Sequence, residues 1–173
     1  MLNSDKENYY LKTIISDLYF YILAIITNEA RYTYLNQRSI IENYMRLILL
    51  ISVKENHVTY ELFKELKVKY SLSNDDYSLL RSEYCTACEY VHGGEVLDGN
   101  LIRIFNEYTK KRREIKDISR YFTRICKVIK IFDLILIKKD AKNISGVFYK
   151  RKYVLEYLLG KNYVDELFLI LSK

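Results

Sequence analysis

Proline is absent from all 173 residues of this chain, where ordinary usage would supply roughly 5%. Without its fixed φ and missing N–H, long uninterrupted helices are favoured and a turn-rich β protein is not expected. Glycine is scarce too, and the only glycine-rich connection is GGEVLDGN at residues 93–100. It is short and joins two predicted helices rather than opening a strand–helix crossover, so a phosphate loop is not expected. No run reaches the ~18 consecutive apolar residues of a membrane span. The longest, LYFYILAII at 18–26 and LILLISV at 47–53, read as core helix, and no membrane partner is expected. The N-terminal MLNSDKENYY carries early acids and no hydrophobic signal core, so no secretory leader is expected. Three cysteines, an odd number, suit reduced thiols and a cytoplasmic location.

What remains is apolar, rich in tyrosine and unevenly charged. Half the residues are hydrophobic and 18 are tyrosine, enough for one domain with a real core. The formal net charge of +6 hides a segregation. Residues 101–152 hold 16 Lys/Arg against 5 Asp/Glu, a net of +11, while the rest of the chain carries −5. An acidic body bearing one strongly basic segment points to an anionic partner, with RNA or another polyanion first.

Helical periodicity recurs throughout. Residues 5–29 present Ile14, Ile15, Leu18, Ile22, Leu23 and Ile26 as one broad face. Residues 30–53 present Ile40, Ile41, Tyr44, Leu47, Ile48 and Ile51. YELFKELKVKY follows, with Thr59 as its expected cap and Leu62, Phe63 and Leu66 inward. Ser73 or Asn74, followed by acids, opens a fourth helix that runs through Leu79, Leu80, Tyr84, Ala87 and Val91 to Gly93–Gly94. The longest pattern spans about 101–139, with a heptad-like seam of Ile115, Ile118, Phe122, Ile125, Ile129, Phe132 and Leu136. After a break at Ser145–Gly146 come two short helices divided by Gly160. The expectation is an all-α bundle of about five main helices over residues 1–143, with a short helical tail, 144–173, packed on the same domain.

Arg113, Lys116, Arg120, Arg124 and Lys127 are spaced to share one helical face, with Tyr108 and Tyr121 nearby. Cations interleaved with aromatics can hold phosphates and stack bases, so these five are the nucleic-acid-binding candidates. A solvated outer helix face has the same pattern. Arg38, Glu42 and Arg46 line up at i, i+4, i+8 in RSIIENYMR. They read equally as surface ion pairs and as a charged row facing a site. Cys85, Cys88 and His92 form C-x2-C-x3-H on one face. A structural zinc needs four ligands. Only Cys126 and His57 remain as further soft candidates and neither sits in a second paired motif, so no metal and no cofactor is expected. A histidine in the last helical turn also suits the helix dipole, without chemistry.

Together, RSIIENYMRLILL and EYCTACEYVHGG resemble the HEPN superfamily of α-helical domains, most clearly over residues 10–95. The resemblance implies a dimerising bundle that handles RNA, often as a metal-independent endoribonuclease of toxin–antitoxin, CRISPR or phage-defence systems. It implies an active site in which Arg-x4-6-His activates a ribose 2′-hydroxyl against the adjacent phosphate. The chain departs from that spacing: Cys85, Thr86 and Ala87 stand where the arginine belongs, and the nearest preceding arginine, Arg81, is separated from His92 by ten residues. On this resemblance His92 is the acid–base candidate, Arg38 and Arg46 the phosphate-neutralising pair and Glu42 their orienter, with Tyr84 or Tyr90 assisting. The alternative it implies is a catalytically inactive HEPN-like dimer that binds RNA or assembles with a partner protein.

Overall fold

The computed structural model describes residues 5–51, 58–92 and 115–172. GGEVLDGN, the helical pattern over 101–114, and Arg113, Tyr108 and His57 lie outside the described residues. The described residues form seven helices, with turns and short connections between them and no strand among them: α1 (Asp5–Ile26), α2 (Ala30–Leu49), α3 (Tyr60–Tyr70), α4 (Asn74–His92), α5 (Ile118–Val147), α6 (Lys152–Leu159) and α7 (Lys161–Leu171).

A chain so short of glycine needs other residues to turn its helices off. α1 ends with Asn28 in the left-handed region at φ 64°. Glu29 N–H bonds Ala24 O at 2.7 Å and Asn28 N–H bonds Ile25 O at 3.2 Å. This paired closure satisfies carbonyls the helix leaves open. Leu50 (φ 59°) and Ser71 (φ 51°) end α2 and α3 in the same backbone region. α2 therefore stops at Leu49, short of the expected Val53. Thr59 stands at the start of α3 but its side chain makes no cap bond, whereas Ser73 Oγ accepts from Asp76 N–H at 3.0 Å and caps α4.

α2 is the central element, packing on α1, α3, α4 and α5. Ile40, Ile41, Met45, Leu47 and Ile48 are wholly buried with Tyr21, Leu66, Leu80 and Phe132. Tyrosines carry their hydroxyls inside by ending on polar atoms. Tyr44 stacks on Phe132 at 4.8 Å with its hydroxyl toward Asp133 Oδ1, and Tyr21 donates to Tyr121 O at 3.1 Å.

Three expectations need correction. α1 is apolar nearly all round, so periodicity misplaced its inner face: Tyr10, Ile14, Tyr21, Ala24 and Ile25 are buried, whereas Ile15, Ile22, Leu23 and Ile26 are exposed. Its window Tyr9–Ile26 is long and apolar enough to cross a membrane, and only 28% of it is buried. Next, residues 115–117 are not helical. α5 starts at Ile118, where Asp117 Oδ1 accepts from Arg120 N–H at 3.0 Å, and Ile118 itself is exposed. Ile115 is held apart from the helix, its N–H bonding Asn28 Oδ1 at 2.9 Å. Finally, helical structure runs through Ser145–Gly146 to Val147, and the irregularity falls at Asp140 (φ −124°, ψ 24°). Around and beyond it Ile137, Ala141, Leu155, Val164 and Leu167 form a second, smaller core between α5, α6 and α7.

Candidate functional site

α2 and α4 place five of the sequence candidates in one connected group. Glu42 is the hub. Its Oε1 accepts from Arg38 Nε at 2.8 Å and from Tyr84 OH at 2.9 Å, and its Oε2 accepts from Arg46 Nη2 at 3.1 Å. Arg38 then reaches across the seam, its Nη1 lying 2.5 Å from His92 Nε2. A guanidinium only donates, so in this contact Nε2 stands as the acceptor. Arg31 Nη2 donates to Val91 O at 3.4 Å beside it. Arg81 is engaged elsewhere, over the Tyr60 ring at 4.1 Å.

The group is shaded but open. Side-chain exposure is 21% for Arg38, 12% for Glu42 and 16% for Arg46, and His92 is exposed. Burial opposes the charge on Arg38, but the hydrogen bond and charge of Glu42 outweigh it and raise its pKa. Burial, then the charge of Glu42, holds the Tyr84 phenol well above its ordinary value, so it donates rather than ionises. Burial likewise raises the Cys88 thiol against the opposing pull of Tyr84 and Arg38. Cys85 and Cys126 are exposed free thiols. Among the described residues, no cluster of three or more His, Cys, Asp or Glu is arranged to hold a metal.

The cations divide. Lys116, Arg120 and Arg124 line one cleft between α2, α4 and α5, of about 360 Å³. Lys127 is exposed but does not line it. Arg124 Nε donates to Glu83 Oε1 at 2.5 Å, and Gln37 Nε2 donates to Glu83 Oε2 at 3.0 Å and to Glu83 O at 3.1 Å. Glu83 is 2% exposed, so its charge is carried by these partners rather than by water. In the same cleft Tyr34 stacks on Tyr90 at 3.9 Å and 18°. Tyr34 also donates to the Tyr121 hydroxyl at 3.3 Å.

Sequence reasoning missed Glu83, Gln37 and Tyr34, because their partners lie on other helices and no spacing marks them. It also missed Asp17, which accepts from Ser39 Oγ at 2.6 Å and from Asn43 Nδ2 at 3.3 Å. Ser39 and Asn43 flank Glu42 within the RSIIEN motif, so this one motif serves α1 on one side and α4 on the other. No family model, curated protein or solved structure matches this chain.

Proposed function

We propose that this chain is a HEPN-like RNA-associated protein, a bundle of about five main helices, acting as a metal-independent endoribonuclease of a toxin or phage-defence system in the cytoplasm. The observation that carries this reading is the Arg38–His92 contact at 2.5 Å. It supplies from α2 the arginine that the family spacing would place shortly before the histidine. In this reading Arg38 turns from His92 to the phosphate and frees Nε2 to take the proton of a ribose 2′-hydroxyl, whose oxygen attacks the adjacent phosphorus as the bond to the 5′-oxygen breaks. Arg38 and Arg46 balance charge gathering on the phosphoryl oxygens, and Glu42 and Tyr84 keep the arginines in place. The products are a 2′,3′-cyclic phosphate and a 5′-hydroxyl, the leaving oxygen taking its proton from the His92 imidazolium or from water.

The chain works as a homodimer in this proposal. Support comes from the exposed apolar side chains of Phe20, Leu23, Tyr32 and Leu35, which border a hollow of about 260 Å³ on α1 and α2.

Glu42 favours a second reading, a catalytically inactive HEPN-like dimer for RNA binding or protein assembly. Its carboxylate already engages both arginines and would repel an incoming phosphate. The deciding experiment incubates purified protein with mixed RNA in EDTA, beside His92→Ala. Cleavage to cyclic phosphate ends, lost in the variant, is expected. Equal cutting by both proteins sinks the assignment of His92, and RNA binding without scission selects the second reading.

A further inference from the structure

The cleft lined by Lys116, Arg120 and Arg124 is separate in its chemistry from the Arg38–His92 group, and its walls are of three kinds. One is aromatic: Tyr34 and Tyr90 stack at 3.9 Å, and Tyr121 lies 5.8 Å from Tyr34 at 57°. One is cationic: exposed Lys116 and Arg120 stand at the start of α5. Asp117 lines the cleft beside them and caps α5 by accepting from Arg120 N–H, so the two side-chain cations rather than the helix end supply the positive potential there. The third accepts hydrogen bonds: exposed Glu89 lines the α4 side. Glu83 brings little free charge, because Arg124 and Gln37 occupy its two oxygens.

We propose that this cleft binds one nucleoside monophosphate unit, either free or as a single unit of an RNA strand. About 360 Å³ lies within the range of small-ligand pockets, roughly 300–1,000 Å³. A bare phosphate would use the cations and waste the tyrosines. A neutral aromatic would do the reverse. A nucleotide uses all three walls: its phosphate meets Lys116 and Arg120, its base lies on the tyrosine wall, and an N–H on the base edge donates to Glu89. The strand form of this proposal rests on the RNA-associated reading above; the free-nucleotide form does not.

The test titrates AMP, GMP, CMP, UMP, inorganic phosphate and a short single-stranded RNA into the full chain by calorimetry. The variants are Arg120→Gln and, as a charge control at the other end of α5, Lys142→Gln, with thermal melts establishing that both fold. At least one nucleotide should bind with Kd below about 1 mM. Phosphate alone should bind about tenfold more weakly for want of stacking. Arg120→Gln should weaken nucleotide binding about tenfold, and Lys142→Gln should not. Displacement of the RNA by the nucleotide assigns the strand form, and nucleotide binding without RNA binding assigns the free form. RNA binding that neither the nucleotide nor Arg120→Gln disturbs overturns the cleft while leaving RNA association intact. Phosphate binding as tightly as any nucleotide, or no binding at all, also overturns it. Cleavage in EDTA is read separately, so loss of one proposal does not carry the other with it.

Discussion

Glu42 and Glu83 each hold basic or amide partners at the α2–α4 seam, and they do so by opposite means. Glu42 draws both arginines from its own helix and adds Tyr84 from α4, in a group water can reach. Glu83 is buried and draws its partners from two other helices, Gln37 on α2 and Arg124 on α5. Adjacent helical positions point about 100° apart, so Gln37 and Arg38 leave α2 toward different surroundings. One carboxylate organises an open polar group, whereas the other pins three helices together. A charge costs most where it is least hydrated, so loss of Glu83 must fall mainly on stability and loss of Glu42 mainly on the surface it presents.

Glu83→Ala carries the largest expected effect. It strands Arg124 and leaves buried Gln37 with only its bond to the residue 83 carbonyl, and should cost about 3 kcal/mol in urea unfolding. A loss no greater than that of Glu42→Ala would break the contrast. Glu42→Ala should cost about 1 kcal/mol, since its ion pairs are partly hydrated. It removes an acid from between two arginines, so RNA affinity measured at low salt should rise; a fall would make Glu42 part of the binding surface. Tyr84→Phe sharpens the comparison by removing only the hydroxyl between Glu42 Oε1 and Val58 O. It should cost about 1 kcal/mol, visible as a lower Tm with RNA affinity unchanged.

The smallest effect concerns a half-buried carboxylate outside both groups. Burial raises the Asp133 pKa, with the Tyr44 hydrogen bond opposing. The folded state therefore holds this proton more tightly than the unfolded chain. Stability from this group is lost as pH rises from the ordinary carboxylate value through the raised folded one. Asp133→Asn should consequently be the more stable protein at neutral pH, with its advantage shrinking as pH falls through that window. A pH-independent difference between the melts would rule this out.

Legibility from sequence followed range. The missing proline and the recurring period marked the presence of each described helix, but not the bounds of α2 and α5. The Arg38–Glu42–Arg46 row was visible because i, i+4 spacing is a local property. Glu83 was not, because its partners stand 46 and 41 residues away. α1 defeated the method differently: adjacent pairs such as Ile14–Ile15 and Ile22–Leu23 satisfy two faces equally, and only packing against α2 chooses between them. The basic stripe was projected onto one continuous helix, yet the Asp117 cap begins α5 after Lys116. Lys116 therefore reaches the cleft from the segment before the helix rather than from the helix face.

α5 is shared between two cores, with Ile135 in the larger and Ile137 in the smaller. Asp140 breaks its regular geometry soon after that handover. Amide protons before and after it should therefore exchange with solvent as two cooperative blocks, the later one together with α6 and α7. Local opening of the C-terminal block then leaves both glutamates seated. The carboxyl end is accordingly the place to attach a fluorophore or a surface tether when forces or distances across the α2–α4 seam are to be measured.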